Sequence, residues 1–201
     1  MDFNKLDQLK GFMPKDEGLP LTRWAEKLSC HGPALETGTF GAKSTLYIAT
    51  GTSANDQFVY TVDHHFGSEE HQLGEEYFDS EIFDNKLGRI NTVPLMQENL
   101  EKFDESKWVI PIIANANSVA PSWTTELGLL FIDGSHTEIS AMNDYDNWNT
   151  KIHPQGALVI LDIYEKRSEG GLAPYLVYQR ALQEDFMLYD RVDTIVCLVK
   201  T

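Results

Sequence analysis

Continuous apolar runs recur along the chain, and stretches of helical periodicity separate them. Ala34-Leu35 leads into Glu36, Phe58-Val59-Tyr60-Thr61-Val62 into Asp63, Leu129-Leu130-Phe131-Ile132 into Asp133 and Ala157-Leu158-Val159-Ile160-Leu161 into Asp162. Val109-Ile110-Pro111-Ile112-Ile113 is a fifth run, and its proline predicts an edge or a bulge. Runs of this kind, apolar throughout rather than alternating, predict strands covered on both faces. Helices are predicted at Leu21, Trp24, Ala25 and Leu28; at Ser44 to Ala49; at Leu95, Asn99 or Leu100, and Phe103; at Ile139, Met142, Tyr145 and Trp148; and over about 173–182. Thr92 is placed to cap the third of these, with Pro94 in its first turn.

Two closing strands, near Phe186–Tyr189 and Thr194–Val199, are separated by only Asp190-Arg191-Val192-Asp193. So short a connection allows a hairpin and no crossover. The pattern predicts an α/β fold: a doubly wound, mostly parallel seven-stranded sheet with a C-terminal antiparallel hairpin. Residues 1–201 are expected to form a single domain, with a helical extension over about 1–31. Neither an internal repeat nor a low-complexity linker interrupts it.

Charge narrows the partners. Sixteen basic residues against thirty-one acidic give a formal net charge of -15. That balance argues against nucleic acid or an anionic membrane surface as partner, and leaves a small molecule. Cys30 and Cys197 show neither metal-ligand spacing nor a disulfide framework, so both are expected to be reduced. No apolar run is long enough to span a bilayer, and Met1-Asp2-Phe3-Asn4-Lys5 lacks a signal-peptide core. A cytoplasmic protein is the expectation. Whether helix faces at the sheet edge pair subunits into a homo-oligomer is left open.

The chemistry concentrates at the ends of the strands. In open α/β sheets ligands bind outside the carboxyl ends, where Glu36, Asp63, Asp133 and Asp162 stand. The turn Thr37-Gly38-Thr39-Phe40-Gly41-Ala42-Lys43-Ser44 joins the first strand to a helix whose N-terminus carries partial positive charge. A phosphate-binding loop would end in the same Lys-Ser pair, but needs glycines where Thr37 and Ala42 stand. A dinucleotide fingerprint needs a third glycine that is missing.

Around this turn, residues 64–90, with His64, His65 and His71, form a long polar stretch expected to act as a lid or substrate wall. Asp144 and Asp146 are expected on the solvated face of their helix. Lys166-Arg167, in a loop hinged by Gly170-Gly171, points to a substrate carrying negative charge.

Four motifs occur in order: Glu36-Thr37-Gly38-Thr39-Phe40-Gly41-Ala42-Lys43-Ser44-Thr45, Thr61-Val62-Asp63-His64-His65, Leu130-Phe131-Ile132-Asp133-Gly134-Ser135-His136 and Pro154-Gln155-Gly156-Ala157-Leu158-Val159-Ile160-Leu161-Asp162. Together they resemble the class I methyltransferases that use S-adenosylmethionine, particularly small bacterial members allied to metal-assisted sugar and catechol O-methyltransferases. The resemblance implies a Rossmann-like fold and methyl transfer to an oxygen of a small-molecule acceptor.

It further implies that Glu36 and Gly38 lie against the methionine portion of the cofactor, with Thr39, Phe40 and Ser44 completing that turn. Asp63 would bind the ribose hydroxyls, Asn115 and Ala116 the adenine, and His64 would face the cofactor or substrate. His136 resembles the general base of the family. Asp133 would serve both cofactor and catalysis, and would share a magnesium ion with Asp162. The family carries its second glycine where Ala42 stands here, and an additional carboxylate or amide where Ile163 stands. The alternatives are a non-catalytic subunit that binds S-adenosylmethionine and a nucleotide hydrolase built on Lys43-Ser44.

Overall fold

The structure, a computed structural model, describes residues 1–68, 71–75, 78–134 and 137–201. Five parallel strands form most of one sheet: β1 (Ala34–Thr37), β2 (Val59–Asp63), β5 (Val109–Ile113), β6 (Leu127–Ile132) and β7 (Ile152–Ile160). The hairpin of β8 (Phe186–Val192) and β9 (Ile195–Lys200) completes it, with β9 antiparallel to β7. The order is β5-β2-β1-β6-β7-β9-β8. β5 is therefore an edge strand, as Pro111 predicts, because a residue without an N–H cannot serve a central ladder.

Successive residues of β6 and β7 enter opposite cores. Leu129, Phe131, Ala157 and Val159 pack under α2 (Lys15–Leu28) and α3 (Lys43–Thr52). Leu130, Ile132, Leu158 and Ile160 pack under α6 (Glu138–Trp148) and α7 (Ala173–Gln183). Burial on both faces is why these strands are apolar at every position.

The N-terminal segment is more than an extension. It contains α1 (Phe3–Asp7) and α2, which begins at Lys15 rather than Leu21 and holds Pro20 inside it. Leu6, Met13, Leu21, Trp24, Ala25 and Leu28 are all buried in the first core. Gly18 makes room for the Tyr47 ring, which would stand 2.5 Å from a Cβ there. Thr22 Oγ1 donates to the Tyr47 carbonyl at 2.9 Å across the same contact.

Two other expectations change. Within residues 64–90 a small hairpin forms, β3 (Phe83–Asp84) against β4 (Arg89–Ile90). Thr92 stands at the N-cap position of α4 (Val93–Leu100) but makes no side-chain cap bond. Its hydroxyl bonds the buried ring of His65 instead, 2.7 Å from Nδ1. Among the described residues no helix is long and apolar enough to cross a membrane. Both cysteines are free, Cys30 exposed and Cys197 buried.

Candidate functional site

The glycine turn is held by a close backbone approach and by side chains that accept from or donate to its backbone. Gly38 has φ +91°, and the main-chain oxygen of Asp133 would stand 2.2 Å from a Cβ at this position. Thr39 N and Phe40 N both donate to Asp63 Oδ2 at 3.0 Å, and His65 N donates to Oδ1 at 2.7 Å. Phe40 and Ala42 are both left-handed, with φ 46° and 63°. Gly41 is not left-handed; its carbonyl accepts from Asn99 Nδ2 at 2.8 Å. The displaced glycine therefore leaves the turn intact, because Ala42 itself adopts the conformation that ordinarily favours glycine.

Glu36 lies beneath the turn and does not line the cavity above it. Fully buried, it accepts hydrogen bonds from Ser44 Oγ (2.5 Å), Thr61 Oγ1 (2.6 Å) and Thr45 Oγ1. Burial raises its carboxyl to about 7, against the pull of those three hydroxyls. The expected place of Glu36 against the cofactor gives way to a bracing one: it ties β1, β2 and the start of α3 together. Lys43 also turns away from the turn it follows. Its Nζ donates to the Asp7 carbonyl at 2.9 Å and pairs with Asp7 Oδ1 at 3.5 Å. A phosphate-binding lysine would have to leave that partner, which removes the ground for the hydrolase reading.

A cavity of about 690 Å³ opens over the carboxyl ends of the strands. One side is bordered by Asn115, Ala116 and Asn117 after β5, and the middle by Gly38, Thr39, Phe40 and Ser44. Asp63 and His64 border it after β2, and Asp133 and Asp162 at the far side. So every cofactor position expected from the sequence, apart from Glu36, reaches one cavity. Asp63 has already committed its oxygens to three amides, which leaves lone-pair capacity for one or so further donors. The two adjacent histidines diverge. His64 lines the cavity, accepting from Phe66 N at 3.0 Å, whereas His65 is buried against Thr92 and its protonation is disfavoured by that burial.

The electrostatics of the far side are acidic. Asp133 is half-buried at the cavity floor, and burial, then the charges of Asp162, Glu36 and Glu17, push its carboxyl well above the usual range. Asp162 holds a left-handed φ of 59° at the end of β7. Among the described residues no group of three His, Cys, Asp or Glu side chains could hold a metal ion. Ile163, where the metal-assisted families carry another oxygen ligand, is buried in the second core. Asp133 and Asp162 thus offer a pair of carboxylates, with no third side-chain ligand beside them among the described residues. His136 lies outside the described residues.

Three features escaped the sequence reading. Asp144, expected in solvent, is only 6 % exposed and lines the cavity; burial lifts its carboxyl to about 6, with the Thr37 hydroxyl opposing. The signal was present, since position 144 lies three after Ala141 and four before Trp148, both buried. Glu17 is 4 % exposed and also borders the cavity; it stands four before Leu21, on the apolar stripe of α2. Phe12 joins Phe40 and His71 in a ring cluster on the cavity wall, with centroids 5.2–5.9 Å apart. Neither Lys166, which pairs with Glu169 at 3.0 Å, nor Arg167 borders the cavity.

Comparison with known proteins agrees with this geometry. A family model described as a methyltransferase domain matches residues 35–163. The solved O-methyltransferase NovP superposes with a TM-score of 0.69 at 15% identity, covering 94% of this chain and 81% of its own. The O-methyltransferase TomG from Streptomyces achromogenes, solved in complex with SAM, gives 0.64 at 13% identity, with coverage of 99% and 89%. An O-methyltransferase from Bacillus cereus, in complex with SAH, gives 0.65 at 13% identity, covering 99% and 87%.

Proposed function

Because the chain belongs to the methyltransferase-domain family, we propose that it transfers the methyl group of S-adenosylmethionine to an oxygen of a small-molecule acceptor. The observation that carries this reading is the single cavity running from Asn115–Asn117 past Gly38 to Asp133 and Asp162. Its volume of about 690 Å³ lies in the range of cofactor and ligand sites. The related structures named for O-methyltransferases, two of them holding SAM or SAH, support the cofactor and the acceptor atom.

Transfer from a sulfonium is an in-line displacement: the acceptor oxygen forms a bond to the methyl carbon as the carbon–sulfur bond breaks. The protein's part is to align the two and to remove the hydroxyl proton. In this reading the amides held by Asp63 and the tight Gly38 turn shape the bed for the cofactor's methionine and ribose. Asn115 and Ala116 receive its adenine.

The acceptor lies toward Asp133 and Asp162, with His136 as the proton acceptor. Asp133, whose carboxyl is pushed up by its surroundings, orients that hydroxyl and offers a second place for the proton. Magnesium shared by Asp133 and Asp162 would lower the hydroxyl's pKa when bound, and a chelator-sensitive rate is its signature. The free cysteines fit a reducing, cytoplasmic setting.

Calorimetric titration with S-adenosylhomocysteine, with adenosine triphosphate as control, is the direct test. Micromolar-range binding of the first alone is expected; binding of adenosine triphosphate alone would return the hydrolase reading. His136→Ala should then abolish turnover on an identified acceptor and keep the affinity for S-adenosylhomocysteine. An active His136→Ala enzyme would remove the base from the mechanism.

A further inference from the structure

Resting on that reading, we propose that Glu17 is a binding position for a primary ammonium group inside the cavity. Glu17 is a charged side chain only 4 % exposed, and it borders the cavity from α2. Its Oε1 is fixed by two donors of Thr194, the amide at 2.8 Å and the hydroxyl at 2.6 Å. Among the described residues nothing donates to Oε2. The side chain is therefore held rigidly by one oxygen, with the other available to a ligand. That oxygen is not sealed from solvent, so a ligand ammonium there would replace water with a charge-assisted hydrogen bond.

The surroundings specify the sign of that ligand. Burial raises the Glu17 carboxyl, and the charges of Asp162 and Asp193 raise it further; Glu17 in turn disfavours ionisation of Asp133. Lys43 is the single Lys or Arg among the described residues on the cavity wall, and its charge is spent on Asp7. An anion entering here meets repulsion, and a neutral hydroxyl leaves the charge uncompensated.

A small metal ion needs donors converging on one point, and no three described acids do so. An alkylammonium carries three donors on a bulkier centre and can serve separated acceptors. The chemistry comes from one of two sources, the α-ammonium of the cofactor's methionine portion or an amine on the acceptor.

Two matched pairs of probes distinguish these sources by calorimetry. The first is S-adenosylhomocysteine against its analogue lacking the α-amino group. The second, offered to protein saturated with S-adenosylhomocysteine, is tyramine against 4-ethylphenol. The ammonium member of one pair should bind at least about tenfold more tightly to the wild type, and Glu17→Gln should cut that preference to about threefold or less.

A preference in the first pair names the cofactor, and in the second the acceptor. Equal affinity within both pairs overturns the proposal, as does a preference that survives in Glu17→Gln. Should that variant fail to fold, Glu17→Asp, which withdraws the carboxylate by one methylene, takes its place in the same comparison and should likewise cut the preference. Binding of S-adenosylhomocysteine with no ammonium preference defeats this inference and leaves the methyltransferase reading standing; failure of S-adenosylhomocysteine to bind defeats both.

Discussion

The main-chain oxygen of Asp133 lies 2.2 Å from the position a Cβ on Gly38 would occupy. Two strand ends, β1 and β6, therefore meet backbone to backbone, and the cavity floor is continuous across them. A side chain at 38 must either displace the Asp133 turn or abandon φ +91°, which L residues rarely adopt. Gly38→Ala is expected to cost about 3 kcal/mol or more of stability and to abolish binding of S-adenosylhomocysteine. Thermal unfolding and titration check both; a well-folded variant that binds normally would show that the contact yields freely.

Asp63 holds the glycine turn through three amides, so its loss should act on the fold as well as on the cofactor. Asp63→Asn replaces one accepting oxygen with a donor that faces backbone N–H groups. A loss of about 2–4 kcal/mol is expected, with S-adenosylhomocysteine affinity falling by about tenfold or more. Chemical denaturation alongside calorimetry separates the two effects. Weakened binding at unchanged stability would mean that Asp63 acts on the ribose alone.

Glu36 gives stability a pH dependence of definite sign. Its folded carboxyl is raised from 4.5 to about 7, so between these values the native protein holds a proton that the unfolded chain releases. Stability from this group is complete below about pH 4.5 and is lost as pH rises through about 7. Asp144, raised to about 6, acts in the same direction. A fall of about 2–3 kcal/mol from Glu36 is expected over that window, and Glu36→Gln should flatten the profile. Urea unfolding at a series of pH values measures it; a wild-type profile that rises from pH 5 to 7 would contradict this sign.

Ala42 bears the left-handed conformation at the N-terminus of α3 without being glycine. Removing its Cβ relieves about 1 kcal/mol of strain, opposed by the added freedom of the unfolded chain and by lost packing of a fully buried methyl. Ala42→Gly should therefore fall between neutral and about 1 kcal/mol more stable, with S-adenosylhomocysteine affinity unchanged. A loss greater than about 1 kcal/mol would show that the methyl's packing dominates.

What the sequence determined by itself is the seven strands of the main sheet, the helices between them and the place of the cavity. Both follow from local patterns: continuous apolar runs of four to six residues suit strands of a covered sheet, and Gly38 and the acids at strand ends mark where a parallel sheet presents its ligand. Pro111 announced its edge because a missing N–H is a local property. The direction in which a side chain finally points is a different matter, since it depends on what arrives from far along the chain.

Glu36 looked like a ligand contact until Ser44, Thr45 and Thr61 closed around it. Lys43 followed the glycine turn in sequence, yet Asp7 draws it away. Thr92 could cap a helix, and the buried ring of His65 claims its hydroxyl. Asp144 and Glu17 became cavity carboxylates because the tertiary fold brought Gly134 against one and Thr194 against the other. Burial and charge at such positions are sums over distant neighbours, and only the tertiary structure supplies them.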